Sequence, residues 1–566
     1  MRNLSRAIAL IYITLLCHTA WAQDTHRYES LVVTGADLYS KGEYAAAKEV
    51  FRNVMQNDPS NDAALYYMAL IAVAENDAEL AETYMVTAAG LDPDNFWYRY
   101  RLAKLYSVTG RQELAVDMYE KLLKDFPKEH DVYFELVEMY ASQQEYDKAL
   151  QTIDEIEEVV GVTESLAMYR FNILRVMERY EDAYESLRKY NSRYSSPYVL
   201  VTLADYEMSM YNDSTALAYY DEALSLMSDY GPALLGKAET YRITRRYEEY
   251  FYVLDEYMSS PATPMEPKAD YLRAIIQRAD PKFVRSFLAN LDETVMKAVD
   301  THPKDSVALQ IAGVYFYSTG RMDQAGLFFE ENVTIHPESF SANADYVEFL
   351  MYTDRWEALS KVGRQAYKRF PGETAFLEMA STGDYQRGDY VKVLEACDEI
   401  LRVAPADSSK TLRALSTKGD VYHQMGNSKK AYKAYEEALK INPDYEYVLN
   451  NYAYYLSEDG KKMKKALQMS YKTVIANPDN ATYLDTYAWI LHLRGDDESA
   501  KLFFKKAMLY GGKESTVILD HYAEVLYALK EYDMAFIYWN MALQKDDGRV
   551  PNLADKIYVR KKEAGK

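Results

Sequence analysis

The chain has 566 residues, of which 49% are hydrophobic and 27% are charged. This balance is typical of an ordered protein and excludes a low-complexity or disordered chain. The formal net charge is −22, which disfavours binding to nucleic acid or to anionic membrane surfaces and favours protein partners with basic or mixed surfaces.

The start of the chain has the pattern of a secretory signal peptide. Arg2 and Arg6 form a charged region, an apolar stretch covers 7–16, and a small-x-small sequence ends at Ala22. We therefore expect 1–22 to be a signal peptide that is cleaved after Ala22, so that the protein is exported, with the periplasm as the predicted compartment. No later segment is apolar enough to predict a transmembrane helix.

The two cysteines predict neither a lipid anchor nor a disulfide. Cys17 is a poor lipidation site because Leu16 stands where a lipoprotein signal has a small residue. Cleavage of the signal peptide would leave Cys397 alone, and a single thiol makes no internal disulfide. Cys397 falls on a predicted second helix with no histidine motif beside it, so we expect a buried structural thiol.

A repeat begins directly after the predicted signal peptide and defines an N-terminal array over 28–258. Pro59, Pro93 and Pro127 are spaced by 34 residues, a period that indicates a helix–turn–helix unit able to stack into a solenoid. Small residues recur where the two helices of each unit would touch. A proline closes the second helix because it cannot continue one.

The period breaks over 259–303. Three prolines within 261–267 predict a loop or hinge. An irregular pair of helices is expected after it, over roughly 269–278 and 282–300.

A more regular C-terminal array follows over 304–550, and 551–566 is predicted to be a closing helix with a charged outer face. The unit that begins near residue 412 matches the pattern best. Its matching residues are Gly419, Tyr422, Gly426, Ala431, Tyr435, Ala438 and Pro443. Taken together, these segments predict an all-α, right-handed α-solenoid of about fourteen helix–turn–helix units in two arrays.

These motifs resemble the tetratricopeptide repeat (TPR) family over nearly the whole chain after the signal peptide. The stretch 450–508 is similar to secreted TPR proteins of the bacterial cell envelope. The resemblance implies a scaffold for protein–protein interaction without catalysis of its own.

Motifs that suggest other chemistry have structural explanations. The segment 231–237 resembles a phosphate-binding loop, but Ala238 stands where a Ser or Thr is needed and no strand precedes it. Asp-Pro and Asn-Pro pairs recur at the repeat boundaries, where they are typical of turns and helix caps rather than of calcium sites. We therefore predict no catalytic, cofactor-binding or metal-binding residue.

The candidate site is the face formed by the first helices of the C-terminal units. Counting from the phase of each repeat, the predicted partner-binding residues are Asn450, Tyr454, Asp485, Trp489, His492, Asp520, Glu524 and Tyr527. A lesser N-terminal set comprises Trp97, Tyr100 and Lys104. Aromatic residues with polar neighbours suit a protein or peptide surface. The alternative is that these side chains pack against the next repeat.

The leading hypothesis is an exported TPR scaffold or adaptor that binds protein or peptide partners, in assembly or maintenance of a bacterial cell envelope. The alternative is a module that binds glycan or peptidoglycan, since aromatic residues also stack on sugar rings. An enzyme is disfavoured because only 259–303 lies outside the repeats, which is too short for a catalytic domain. The sequence sets neither the partner nor the oligomeric state.

Overall fold

The computed structural model describes residues 28–545 and 547–565 and divides into two compact units. The first unit ends at Thr263 and the second begins at Pro264. Within the described ranges all regular elements are helices, and no β-strand occurs. None of the helices there is both long and apolar enough to cross a lipid bilayer. The predicted signal peptide and Cys17 lie outside the described residues.

The first unit is a succession of seven helical hairpins, each made of a first and a second helix joined by a short turn. Its helices are α1 (28–40), α2 (Tyr44–Asn57), α3 (Asp62–Ala74), α4 (Ala78–Leu91), α5 (Phe96–Val108), α6 (Gln112–Asp125), α7 (His130–Ser142), α8 (Tyr146–Val160), α9 (Glu164–Val176), α10 (Tyr180–Tyr194), α11 (Pro197–Ser209), α12 (Asp213–Leu226), α13 (Gly231–Ile243) and α14 (Tyr247–Ser259).

The second unit begins with three helices that do not form a regular hairpin: α15 (Met265–Arg278), α16 (Pro281–Ser286) and α17 (Leu288–Thr301). The prediction of a non-helical segment as far as Pro267 is wrong for its last three residues. Pro267 lies in the first turn of α15, where its missing N–H removes no helical hydrogen bond. The loop is therefore confined to 260–264.

Seven further hairpins and a final helix complete the second unit. They are α18 (Ser306–Ser318), α19 (Met322–Ile335), α20 (Phe340–Tyr352), α21 (Trp356–Arg369), α22 (Thr374–Gln386), α23 (Tyr390–Val403), α24 (Ser408–Gln424), α25 (Ser428–Ile441), α26 (Glu446–Glu458), α27 (Met463–Ala476), α28 (Ala481–Leu493), α29 (Asp497–Leu509), α30 (Thr516–Ala528), α31 (Tyr532–Lys545) and α32 (Leu553–Glu563). A 3-10 turn, Gly512–Glu514, precedes α30. The prediction of an all-α repeat protein with about fourteen hairpins in two arrays is confirmed for the described residues.

Every one of these hairpins turns through a residue with a left-handed backbone. Gly426 turns with φ of 70°, which costs a residue without Cβ little. Tyr211 makes the equivalent turn with φ of 61° although it carries a side chain. Residues other than glycine occupy this position in half of the turns, so glycine in the sequence predicts the position of the other half only.

Close contacts within a hairpin explain the small residues of the first helices. A Cβ added to Gly313 would lie 2.7 Å from the ring of Phe329, and one added to Gly35 would lie 2.6 Å from the ring of Phe51. In both pairs the ring comes from the second helix, sixteen residues later in the chain. The aromatic side chain therefore fills the space that the missing Cβ leaves, and the two helices pack tightly through it.

Candidate partner-binding surface

The first helices α26, α28 and α30 pack side by side in the second unit. They carry all eight residues that the sequence predicts as partner-binding. Three of these side chains, Tyr454, Asp485 and Trp489, meet around one residue that was not predicted, His521 of α30. Its side chain is 9% exposed, so it forms the floor of the site rather than its surface.

His521 is held by one hydrogen bond and one stacked ring. Its Nδ1 donates to Asp485 Oδ1 of α28 at 2.9 Å. Its ring stacks on the indole of Trp489, with 4.1 Å between ring centroids and 10° between planes. These contacts fix the Trp489 side chain on the face of α28, where it is half-buried.

Two further aromatic side chains extend this stack, and we call the set of Tyr454, Trp489, His492 and His521 the ring cluster. The Tyr454 ring centroid lies 6.3 Å from that of His521, and the His492 ring lies 5.0 Å from that of Trp489. The indole Nε1 of Trp489 donates to Glu458 Oε1 at 2.9 Å. The cluster therefore joins three successive first helices into one aromatic surface with an acidic edge.

The charges around His521 favour its protonated form. Burial lowers the pKa of His521, but the nearby carboxylates of Asp485, Asp520 and Glu458 outweigh burial, so the pKa is raised above its usual value. Burial is also the main cause that raises the pKa of the Tyr454 hydroxyl, and Glu458 adds to it. The site thus combines acids with a histidine and a phenol whose protonated forms are favoured.

The raised pKa of His521 predicts a stability that depends on pH. A histidine whose folded pKa lies above its unfolded value stabilises the fold fully below the unfolded pKa of about 6.5, and this stabilisation is lost as pH rises through the folded pKa. We expect the thermal midpoint of the second unit to fall between pH 6 and pH 9 by more in the unmodified chain than in the His521→Gln variant. Calorimetry of both proteins measures this, and parallel pH profiles would contradict it.

Three predicted residues face the final helix, α32, and two of them, Asp520 and Glu524, are buried and not open to a partner. Lys556 Nζ lies 2.7 Å from Asp520 Oδ1 and 2.7 Å from Glu524 Oε1. Arg560 Nη2 lies 3.0 Å from Glu524 Oε2, and the Tyr527 hydroxyl donates to the Arg560 carbonyl at 3.2 Å. The side chains of Asp520 and Glu524 are 8% and 11% exposed, so α32 covers this end of the face.

The remaining predicted residues differ in accessibility. Asn450 is buried and donates to Asn451 Oδ1 at 3.3 Å. In the first unit, Tyr100 is buried and donates to Glu135 at 3.1 Å, and Lys104 Nζ lies 2.6 Å from the same carboxylate. Trp97 is 55% exposed. The N-terminal set therefore contributes one accessible ring.

Sequence reasoning missed His521, Lys556 and Arg560, although a signal for all three was present. His521 lies 36 residues after Asp485, Lys556 lies 36 after Asp520, and Arg560 lies 36 after Glu524. This offset is close to one repeat, so each pair joins equivalent turns of neighbouring first helices. Pairing charged residues across one repeat length would have found them.

Parts of both units match family models described as the tetratricopeptide repeat. The matched segments are 34–96 and 100–158 in the first unit, and 412–445 and 434–468 in the second. The chain therefore contains tetratricopeptide repeats in both units.

Two curated proteins share sequence similarity with the chain. TPR repeat-containing protein MJ1428 of Methanocaldococcus jannaschii is 22% identical over 298 residues, which cover 53% of this chain and 41% of that protein. Protein O-mannosyl-transferase TMTC1 of Homo sapiens is 22% identical over 132 residues, which cover 23% of this chain and 15% of that protein. The chain therefore spans less than half the length of either relative.

Three solved structures are also similar. They are the structure of Naa15/Naa10 bound to HypK-THB (12% identity, 95% of this chain, 96% of that chain, TM-score 0.31), a tetratricopeptide repeat protein from Parabacteroides merdae (17%, 47%, 98%, 0.30), and the APC/C hetero-tetramer Cut9-Hcn1 (14%, 88%, 96%, 0.32). We infer no partner of this chain from them.

Proposed function

We propose that this chain, a protein of helical hairpins that contains tetratricopeptide repeats, is an exported scaffold that binds a protein or peptide partner on the ring cluster of its second unit. The observation that carries the proposal is the continuity of aromatic side chains across α26, α28 and α30. Stacked repeats present such first-helix surfaces to partners. Aromatic rings give a large contact area at a low entropy cost.

The packing of the cluster supports binding rather than a purely internal role. Tyr454, Trp489 and His492 are each half-buried, so the rings are held in place from below but keep part of their surface exposed. A pre-organised surface of this kind loses little conformational freedom when a partner binds. The Glu458 carboxylate at the edge of Trp489 favours a partner with a donor or a positive charge there.

Export, the cell-envelope role and the absence of catalysis belong to the same proposal. The support for export is the pattern of Arg2, Arg6 and the small residues that end at Ala22. Binding to glycan or peptidoglycan is the alternative, but it has less support because His521 already covers one face of the Trp489 indole. A sugar ring could therefore stack on the opposite face only.

One capture experiment tests the proposal. The chain with a C-terminal tag is expressed in a Gram-negative cell, crosslinked in intact cells, and recovered from the periplasmic fraction. We expect its first residue to be Gln23 and the recovered proteins to be lost or strongly reduced for Trp489→Ala and Tyr454→Ala. Tyr471→Ala is the control, because Tyr471 is an exposed tyrosine on the second helix α27.

The controls separate a binding defect from a folding defect. Circular dichroism must show unchanged helix content in all three variants. Recovery of the same proteins by Trp489→Ala, Tyr454→Ala and the unmodified chain would reject the ring cluster as the binding surface. Retention on purified peptidoglycan without any protein partner would favour the glycan alternative, and recovery from the cytoplasm alone would reject export.

A further inference from the structure

A second site lies on the first helices just before the ring cluster. An open pocket of about 400 Å³ is formed by α22, α23, α24 and α26, and we call it the Asp420 pocket after the carboxylate on its floor. Its polar and aromatic lining includes Tyr385, Thr417, Asp420, Tyr447 and Tyr455. None of the eight residues predicted as partner-binding is part of it.

Asp420 is a buried carboxylate whose hydrogen-bond donors among the described residues are all neutral. It is 9% exposed. Its Oδ1 accepts from the Tyr435 hydroxyl at 2.6 Å and from Asn451 Nδ2 at 3.1 Å, and its Oδ2 accepts from the Tyr447 hydroxyl at 2.7 Å. These three bonds leave one of about four acceptor positions of a carboxylate unused.

No cation among the described residues neutralises Asp420. Within the part of the chain that the structure describes, no Lys or Arg nitrogen lies within ion-pair distance of its carboxylate. The nearby His423 has its pKa lowered, mainly by burial, so it is uncharged at neutral pH. Burial also raises the pKa of Asp420 itself, as expected for an acid without a charge partner.

The other buried acids on the first helices of the second unit have a cation beside them within the described residues. Asp384 pairs with Arg364, and Asp520 lies 2.7 Å from Lys556 Nζ. A buried charge without such a partner is costly for the fold. Asp420 differs because it faces an open pocket, from which a cation of another molecule can approach.

The walls of the pocket suit a positive charge. The rings of Tyr385, Tyr447 and Tyr455 line it, and the negative faces of aromatic rings attract Lys and Arg cations. The hydroxyl groups of Tyr385, Tyr455 and Thr417 make no hydrogen bond within the described residues, so they remain available as acceptors. Cys397 also lines the pocket, but burial raises the pKa of its thiol to about 12, which excludes a thiolate there.

The ion pair at the rim leaves the pocket negative. Arg413 donates from Nε and Nη2 to the two carboxylate oxygens of Glu378 at 3.0 and 3.2 Å. Arg413 and Glu378 therefore neutralise each other, and Asp420 sets the net charge of the lining. An anionic ligand would meet an occupied guanidinium and an unpaired carboxylate.

From this geometry we infer that the Asp420 pocket binds one cationic side chain, lysine or arginine, of a partner protein. The cation enters between the tyrosine rings and pairs with Asp420, while the rest of the partner continues along the first helices. This inference rests on the proposed function only in that the cation arrives on a peptide. It concerns a different set of residues from the ring cluster.

Fluorescence anisotropy with defined peptides tests the inference. The probes are labelled heptapeptides of glycine and serine with one central residue: lysine, arginine, acetyl-lysine or norleucine. We expect the whole chain to bind the lysine and arginine peptides about tenfold or more tightly than the uncharged ones, as is typical of a hydrogen-bonded charge pair. We expect Asp420→Asn to abolish this preference.

Asp205→Asn in the first unit is the control for the loss of one carboxylate charge. Asp205 accepts the same kind of bond, from the Tyr220 hydroxyl at 2.5 Å, but it lies outside the pocket. The charge preference should survive this change. Equal binding of charged and uncharged peptides by the unmodified chain, or a preference that persists in Asp420→Asn, would overturn the inference.

A second variant keeps the test valid if Asp420→Asn does not fold. Thr417→Arg places an internal cation on the pocket wall, and it should abolish the preference for charged peptides. An unchanged preference in this variant also overturns the inference. If Trp489→Ala loses its captured partners but the unmodified chain shows no preference for charged peptides, the Asp420 pocket alone is rejected. If the preference for charged peptides is present but Trp489→Ala still captures the same partners, the ring cluster alone is rejected.

Discussion

Replacing Gly383 by alanine is expected to lower the free energy of unfolding of the second unit by about 3 kcal/mol, the upper part of the usual range for overpacking. A Cβ at this position would lie 2.6 Å from the carbonyl oxygen of Trp356 and 3.2 Å from the backbone nitrogen of Ser360. Both are main-chain atoms of α21, so no side-chain rotation relieves the clash. The helices α21 and α22 would have to separate.

The interface between α21 and α22 contains a second contact of this kind, so the destabilisation is expected to be concentrated in these two helices. A Cβ at Gly363 of α21 would lie 2.8 Å from the carbonyl oxygen of Phe376 in α22. Each helix thus places a glycine against the backbone of the other. Hydrogen exchange measured by mass spectrometry should show the largest loss of protection in α21 and α22 for Gly383→Ala.

Gly90→Ala is the control, because this change is expected to raise the free energy of unfolding rather than lower it. Gly90 lies in helix α4, and a Cβ there would have no atom of the described residues within 4 Å. Alanine is the better helix former, so this change should stabilise the first unit by about 0.5–1 kcal/mol. Chemical denaturation followed by circular dichroism compares the two variants. Destabilisation by both, or by neither, would contradict the role assigned to Gly383.

Gly383 also shows what the sequence could and could not predict. The proline period and the small residues at fixed positions were sufficient for the helical hairpins and the two arrays. Gly383 does not stand at the regular small-residue position of its repeat, so nothing in the pattern predicts that α21 and α22 approach so closely. How closely two helices approach depends on the packing of that particular pair. A repeat consensus describes what all the repeats share and therefore does not contain this information.

The candidate site was predictable in its location but not in its organisation. The repeat phase placed Tyr454, Asp485 and Trp489 on first helices, and the structure brings them together around one histidine. His521 itself was missed because its role depends on a residue one repeat earlier rather than on its own repeat position. The exposure of Asp520 was misjudged for a related reason, since α32 takes the place of a further first helix and covers it.

The second large effect is expected when the ion pairs between α32 and the buried acids of α30 are broken. Lys556→Met should lower the free energy of unfolding of the second unit by about 3 kcal/mol, because breaking a buried ion pair leaves an uncompensated charge. Lys556 is shared by two buried acids, Asp520 and Glu524, whose side chains are 8% and 11% exposed. Arg560 still reaches Glu524, so Asp520 would lose the cation that neutralises it.

Lys545→Met is a closely matched control for this charge effect. Lys545 and Lys556 are 31% and 30% exposed and lie 2.8 and 2.7 Å from a carboxylate. The partner of Lys545, Glu514, is 81% exposed, so the loss of this pair should cost at most about 1 kcal/mol. Urea denaturation of both variants measures the difference.

Adding Asp520→Asn to Lys556→Met should restore part of the stability, because the uncompensated charge is removed. Equal costs for the two lysines, or no recovery in the double variant, would show that α32 is held by its apolar contacts alone.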